Sequence, residues 1–148
     1  MLPRAGTALE GALDFFGGVR RGVLNTFNFT GRARRMEYWS HRVFIYGAMI
    51  MSILVIGQVE RSLGNPAIFE GFAYLALTVA LVLAAISLFS VSVRRLHDHD
   101  MSGFMLLLGL IPLAGFYLLY KNLRRGTKGA NKYGPDTLPP SELETSVF

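Results

Sequence analysis

The sequence predicts an all-α membrane protein, a small bundle of about three transmembrane helices preceded by an amphipathic interfacial helix. Of its 148 residues, 51% are hydrophobic and only 17% are charged, which is more apolar surface than a soluble domain of this length can bury. Three runs contain no Asp, Glu, Lys or Arg: 43–59, 71–93 and 101–120. A helix needs about 17 to 25 residues to cross a hydrocarbon layer. Each run is therefore a candidate span.

The N-terminal segment, residues 1–30, predicts an amphipathic helix ahead of the first span. Its periodic apolar side chains are Leu9, Leu13, Phe16, Val23 and Phe27. Their spacing of about three or four residues places them on one helix face. Such a helix lies in the plane of the membrane interface, with its apolar face among acyl chains and its arginines near phosphates. A tail without fixed structure is the alternative, since Gly17 and Gly18 lower the helix propensity.

Basic and aromatic residues lead directly into the first span. Arg32, Arg34 and Arg35 stand near the start of a helix, where the helix dipole disfavours cations, so helix stability does not account for them. Membrane orientation, contacts to phosphate and pairing to carboxylates can account for these arginines. Tyr38 and Trp39 follow at the depth where an aromatic belt is expected. We therefore predict that both rings lie among the lipid headgroups.

The first two spans are predicted to be antiparallel neighbours. A short loop, residues 60–70, joins them, and its Gly-Asn-Pro sequence at 64–66 is a strong turn signal. On the second span, small residues recur every four positions and predict the close approach of another helix. These residues are Ala76, Ala80 and Ala84.

The third run, 101–120, is interrupted by Pro112, which removes a backbone hydrogen bond and predicts a kink or a break. The run either crosses the membrane completely or re-enters at Pro112 and returns to the same side. The positive-inside rule favours the return, whereas the cost of exposed backbone at membrane depth favours the crossing. We expect three crossings within a membrane domain over residues 31–125. A polar tail follows over 126–148, and its side of the membrane stays open.

Three polar clusters stand beside these spans, at 31–39 (GRARRMEYW), 94–98 (RRLHD) and 126–136 (GTKGANKYGPD). Together they resemble one known family, the bacterial inner-membrane proteins grouped as domain of unknown function 805. The resemblance covers roughly residues 27 to 137, and three separate motifs make it specific. The chain departs from the family at Phe104 and Met105, where relatives often carry paired tryptophans, and at Lys128, where they often have proline. The resemblance implies a multi-pass inner-membrane protein, and it implies no activity.

The run from His97 to Asp100 alternates imidazole and carboxylate groups, which are common ligands of zinc, manganese and iron. Ligands at positions i and i+2 point to different sides of a helix, and no second cluster completes a recognised zinc spacing. The chain has no Cys, which excludes thiolate ligands and thiol nucleophiles. We therefore predict no metal, no cofactor and no catalytic residue.

The clusters are instead predicted to form an ion-pair network at the cytoplasmic face. Antiparallel spans place the end of the second beside the start of the first, so Glu37 can pair with Arg94 or Arg95, and Asp98 with the arginine at 32 or 35. Arginines outnumber carboxylates, which leaves donors for a phosphate. The candidate residues are Arg32, Arg34, Arg35, Glu37, Arg94, Arg95, His97 and Asp98. The tail contributes the motif residues Asn131, Tyr133, Gly134 and Asp136.

Two main classes of function fit this pattern. The first is a non-enzymatic module that binds anionic membrane lipid or a membrane partner, either another protein or a second copy of the chain. The second is a transporter or channel component, although the polar residues inside the spans are all uncharged. A lipid-acting enzyme that uses His97 and Asp98 is a third. The basic residues accompany no nucleic-acid-binding motif. The positive-inside rule predicts a cytoplasmic N-terminus, and the family resemblance implies a multi-pass protein of the bacterial inner membrane.

Overall fold

The computed structural model describes residues 8–63 and 67–137, and within these ranges the chain is helical with no strand. The elements are α1 (Ala8–Leu24), α2 (Arg35–Leu63), α3 (Ala67–Asp98), a 3-10 helix (Gly103–Leu110) and α4 (Pro112–Leu123). The predicted all-α architecture is confirmed. The turn predicted at 64–66 lies outside the described residues.

Two helices, α2 and α3, are long and apolar enough to cross a membrane among the described residues, over Arg35–Ser62 and Glu70–Asp98. At 1.5 Å per residue they measure about 43 and 48 Å, which exceeds the roughly 30 Å of a hydrocarbon core. Each helix therefore extends beyond its charge-free run. The first turn of α2 and the last turn of α3 lie side by side, and we call this the polar end of the helix pair; it comprises residues 31–41 and 94–98.

Helix α1 packs across the start of α2 through two glycines spaced four residues apart. A Cβ atom on Gly18 would lie 2.1 Å from Oγ of Ser40, and one on Gly22 would lie 2.3 Å from Nδ1 of His41. Only glycine allows this approach, so these positions hold α1 in place. The apolar face of α1 stays uncovered by protein, since Leu13 is 63% exposed and the neighbouring apolar side chains on that face are similarly open.

The small residues of α3 are less closely packed than the sequence indicates. Ala84 is buried beside α1 and α2. Ala76 and Ala80 instead line an open cleft of about 470 Å³ between α2 and α3. Of the three alanines in the stripe, only Ala84, the one nearest the polar end, is buried.

The third apolar run, 101–120, is not one continuous helix. Pro112 begins α4, as the predicted break requires, and the residues before it form a 3-10 helix. The two arms lie against each other, because a Cβ atom on Gly109 would be 3.8 Å from Leu118 and one on Gly115 would be 3.7 Å from the Gly109 carbonyl. The run is therefore a hairpin with its turn at Pro112.

Both ends of this hairpin return to the polar end. At its start, the Met101 N–H donates to the Leu96 carbonyl at 3.0 Å. At its end, the Asn122 amide donates to the Tyr38 hydroxyl at 3.1 Å. The tail continues from there over the same surface, and the Thr127 N–H donates to the Asp98 carbonyl at 2.8 Å. Residues 31–35, 94–98 and 126–136 thus form one surface.

Candidate functional site

A first ion pair at the polar end joins the two spanning helices. Nη1 of Arg94 donates to Oε1 of Glu37 at 2.5 Å, and both side chains are buried. The second carboxylate oxygen of Glu37 lies 3.7 Å from Nε of Arg21 on α1, whose side chain is partly exposed. Glu37 therefore links α1, α2 and α3. Of the two arginines predicted for this pairing, it is Arg94 that contacts Glu37.

A second group centres on Asp98, whose two carboxylate oxygens each accept from a different arginine. Nε of Arg32 lies 2.9 Å from Oδ1, and Nη1 of Arg95 lies 2.5 Å from Oδ2. All three side chains are at most 3% exposed. Two buried cations thus share one carboxylate, and further acceptors are needed to satisfy their remaining donors.

The tail and the end of α4 supply those acceptors as backbone carbonyls. Nη1 of Arg32 donates to the Gly129 carbonyl and Nη2 donates to the Thr127 carbonyl, each at 2.6 Å. Arg95 donates to the carbonyls of Asn122 and Arg124 at the C-terminal end of α4. These carbonyls have no partner within a helix, and a cation there suits the helix dipole. Arg32 and Arg95 therefore attach the tail and the hairpin to α3.

The tail motif packs around His97. The Tyr133 ring stacks on the imidazole with centroids 3.8 Å apart and an angle of 3° between the planes. The Asn131 amide donates to the His97 carbonyl at 2.9 Å, and the Asn131 carboxamide oxygen accepts from the Tyr133 N–H. Gly134 has φ of 142°, which favours glycine. Asp136 accepts from the Gly129 N–H at 2.6 Å. The structure therefore brings all four tail motif residues to the polar end.

The imidazole and carboxylate groups of the 97–100 run are engaged separately and do not converge. Within the ranges 8–63 and 67–137, no three His, Cys, Asp or Glu side chains are placed to hold a metal. Nδ1 of His97 faces the Gly31 carbonyl, and Asp100 lies 3.7 Å from Lys132. Burial and then the nearby charges of Arg95 and Lys121 lower the pKa of His99 to about 4. The His99 ring is therefore neutral near pH 7.

Tyr38 does not take the place in an aromatic belt that the sequence indicates. It is 4% exposed, its ring packs edge-to-face against Trp39, and its hydroxyl accepts from Asn122. The guanidinium of Arg42 covers the ring at 4.5 Å. Trp39 remains partly exposed. Tyr38 is thus an interior residue that fastens the hairpin to α2, because the hairpin brings Asn122 to it.

A cavity of about 250 Å³ opens beside the Asp98 group, and we call it the arginine cavity. It is lined by Arg32, Arg34, Arg35, Arg95, Asp98, Arg125, Gly126, Thr127, Asp136 and Thr137. Arg34 and Arg35 have no side-chain hydrogen bond or ion pair among the residues that the structure describes. Nη2 of Arg125 is buried without a hydrogen-bond partner. The cavity therefore holds more cationic donors than its two aspartates accept.

Several residues of the site were missed from the sequence. Arg125 reaches the cavity only because the hairpin returns, so no local signal marks it. Nε2 of His41 lies 2.7 Å from the hydroxyl of Ser87, in a buried contact between α2 and α3. The spacing of Gly18 and Gly22 was visible as a small-xxx-small pattern, and it would have indicated the contact between α1 and α2.

The pair of Glu37 and Arg94 gives a direct test of this network. Changing Glu37→Gln is expected to lower the thermal unfolding temperature in mild detergent, because it leaves Arg94 buried without a counter-ion. The Arg94→Gln variant should be destabilised as well. In the double variant the loss of unfolding free energy should be smaller than the sum of the two single losses, by about 1–3 kcal/mol. Strict additivity in this double-mutant cycle would contradict the observed contact.

Comparison with known proteins places this architecture in a family. The family model described as protein of unknown function (DUF805) matches residues 26–135. The chain is 39% identical to the inner membrane protein YhaH of Escherichia coli (strain K12) over 114 residues, covering 76% of this chain and 88% of YhaH. It is also 39% identical to the inner membrane protein YhaI of the same strain over 113 residues, covering 76% of this chain and 87% of YhaI.

No solved structure matches the chain. The names of the relatives place them in the inner membrane, in agreement with the two long apolar helices found here. The three clusters that carried the family resemblance lie within or next to the matched residues and meet at the polar end. The chain therefore belongs to the DUF805 family of inner-membrane proteins, whose function is unknown.

Proposed function

We propose that this protein is a non-enzymatic membrane module that binds the phosphate group of an anionic lipid in the arginine cavity. The observation that carries the proposal is the combination of unpaired guanidinium groups and a cavity of about 250 Å³. Asp98 is already shared by Arg32 and Arg95. Arg34, Arg35 and Arg125 consequently remain available for an external anion.

Phosphate suits these donors well. A guanidinium presents a planar fork of N–H donors that matches two phosphate oxygens at once. A phosphate diester offers charge and several acceptors to a cluster of three arginines, and a cavity of this size admits a headgroup phosphate. A headgroup without net charge would leave the excess of arginine over aspartate in the cavity uncompensated.

The distribution of charge supports a cytoplasmic location for the cavity. Among the residues that the structure describes, Arg61 lies at the far end of the helix pair, and the remaining lysines and arginines lie on α1, at or near the polar end, or in the segment that returns to it. The positive-inside rule then orients the polar end, and the N-terminus with it, toward the cytoplasm. The cytoplasmic leaflet is rich in anionic lipid, so the proposed ligand is abundant at this depth.

The other functional classes have less support. An enzyme that uses His97 and Asp98 needs both groups free to exchange protons, whereas His97 is stacked on Tyr133 and Asp98 is held by two cations. A transporter needs polar groups facing a pathway at mid-membrane. The hydroxyls of Ser52 and Thr78 instead donate to carbonyls of their own helices.

Lipid that copurifies with the protein tests the proposal. Protein extracted in mild detergent is expected to retain anionic lipid in excess of its share of the membrane, as measured by mass spectrometry. Changing Arg34→Gln together with Arg35→Gln should reduce that excess. Each lost contact worth about 1 kcal/mol lowers the affinity for the lipid by about fivefold. The retained lipid should also persist as salt is raised, because partly buried charges are screened less than exposed ones.

The matched control compares two single variants, Arg34→Gln at the cavity and Arg20→Gln on α1. The Arg20 side chain is exposed, so it is expected to attract lipid only diffusely and in a salt-sensitive way. Equal losses from the two single variants would contradict a specific site. Copurified lipid that mirrors the composition of the membrane would contradict it too.

A further inference from the structure

We propose that the hairpin of residues 103–123 is a surface that docks into lipid. The hairpin enters the membrane leaflet on the side of the polar end and returns to that side without crossing the bilayer. Its two ends are hydrogen-bonded to the same end of the helix pair, at Leu96 and at Tyr38. The tail beyond it is fixed there as well, through Arg32. A chain held at both ends in this way has no route to the other side of the membrane.

The lengths of the two arms fit one leaflet. The 3-10 helix has 8 residues and α4 has 12, which correspond to about 16 Å and 18 Å at their usual rises per residue. Half of a hydrocarbon core is about 15 Å. Each arm is therefore long enough to reach the middle of a bilayer and too short to cross it.

The tip of the hairpin is apolar and highly exposed. Leu110 is 82% exposed, Leu113 is 83% exposed, and Ile111 between them is also exposed. Three exposed aliphatic side chains side by side at a turn are unfavourable in water. Acyl chains supply the apolar surroundings that the protein does not, which identifies lipid as the occupant of this surface.

The backbone at the tip reduces the main physical cost of a re-entrant segment, which is that of unpaired N–H groups in hydrocarbon. The Ile111 N–H donates to the Leu108 carbonyl at 3.0 Å, and the Gly115 N–H donates to the Ile111 carbonyl at 2.8 Å. Pro112 has no N–H to satisfy. Two N–H groups of the turn are thus paired within it, and a third is absent.

The exit from the hairpin has the character of a membrane interface. Lys121 lies over the Tyr117 ring at 5.6 Å, and Arg124 lies over the Tyr120 ring at 4.9 Å. Aromatic rings beside basic groups are typical of the depth at which acyl chains give way to headgroups. The base of the hairpin and the polar end therefore lie at the same depth. This inference concerns the path of the chain and does not depend on which anion occupies the arginine cavity.

Single-cysteine labelling tests the path directly, since the chain has no natural Cys. The variants Arg20→Cys, Ser62→Cys and Ala130→Cys mark the polar-end side, the far side and the tail. A membrane-impermeant maleimide applied to sealed vesicles of one orientation should label Ala130→Cys together with Arg20→Cys, and Ser62→Cys only from the other side. Labelling of Ala130→Cys together with Ser62→Cys would mean a complete crossing and would overturn the proposal.

The tip is tested by Leu110→Cys, with Leu113→Cys as a second position in case one variant folds poorly. Neither should react with the impermeant maleimide from either side until detergent is added. A fluorophore attached at these positions should be quenched more strongly by nitroxide lipids labelled near mid-chain than one attached to Ala130→Cys. Free labelling of both tip variants in sealed vesicles would show a hairpin lying outside the bilayer.

Discussion

Replacing Asp98 with asparagine is expected to lower the free energy of unfolding by about 3–5 kcal/mol, the cost of breaking a buried ion pair by removing one partner. The carboxylate is the shared counter-ion of Arg32 and Arg95, and the Arg95 side chain is fully buried. An amide keeps the size of the group but removes its charge. Two cations would then lie close together, with side chains at most 2% exposed to solvent.

The matched control for this change is Asp100→Asn, two residues along the chain. Asp100 pairs with Lys132 at 3.7 Å, and both side chains are about half exposed. Its loss is expected to change stability by less than about 1 kcal/mol. Thermal unfolding of the two variants in the same detergent makes the comparison. Similar stability of both variants would mean that water already screens the Asp98 group.

Replacing Gly126 with alanine is expected to detach the tail from the polar end. A Cβ atom at this position would lie 2.0 Å from Oδ2 of Asp98 and 2.5 Å from the Asp98 carbonyl oxygen. The carboxylate cannot move aside without leaving its arginines, and the carbonyl belongs to the backbone of α3. Overpacking of this severity costs about 1–3 kcal/mol or more, which is enough to undock a short segment.

Limited digestion with trypsin should reveal this change, because the exposed Lys132 becomes cleavable when the tail leaves the surface. Cleavage of Gly126→Ala after Lys132 should be much faster than that of the unmodified protein. Gly47→Ala is the control, since a Cβ atom at Gly47 meets nothing within 4 Å. If the two alanine variants were cleaved at the same rate, the contact between Gly126 and Asp98 would be of no consequence for docking.

Much of the fold could be predicted from the sequence because a membrane-spanning segment must be apolar, helical and of a set minimum length. Runs without charge locate α2 and α3, since helices are the natural way to satisfy backbone groups in lipid. Antiparallel spans then bring residue 37 near residue 94, and residue 98 near residue 32. The choice of Arg94 over Arg95 for Glu37 depends on which side of α3 each residue faces. That rotation is set by packing and not by hydropathy.

The hairpin and Tyr38 show where prediction from the sequence ends. Hydropathy counts apolar residues along the chain, so one crossing helix and two short antiparallel arms give the same signal. Pro112 marks a break but not its angle. Tyr38 has the amphipathic ring of an interfacial residue, yet it is buried, and its hydroxyl accepts a hydrogen bond from Asn122, 84 positions along the chain. Contacts made at such separations leave no local pattern, and Arg125 in the arginine cavity was missed for the same reason.

The dependence of Asp98 and its arginines on the tail also dictates an order of events during synthesis. Arg32 and Arg95 leave the ribosome before their acceptors at 122–129 have been made. The N–H donors of Arg32 and Arg95 therefore lack these acceptors at first, and they must stay hydrated until residues 122–129 have been synthesised. The contacts of Arg32 and Arg95 to these acceptors consequently form only after residues 122–129 have been synthesised. A nascent chain stalled before Gly126 would present to the cell's proteases a surface that the finished protein never shows.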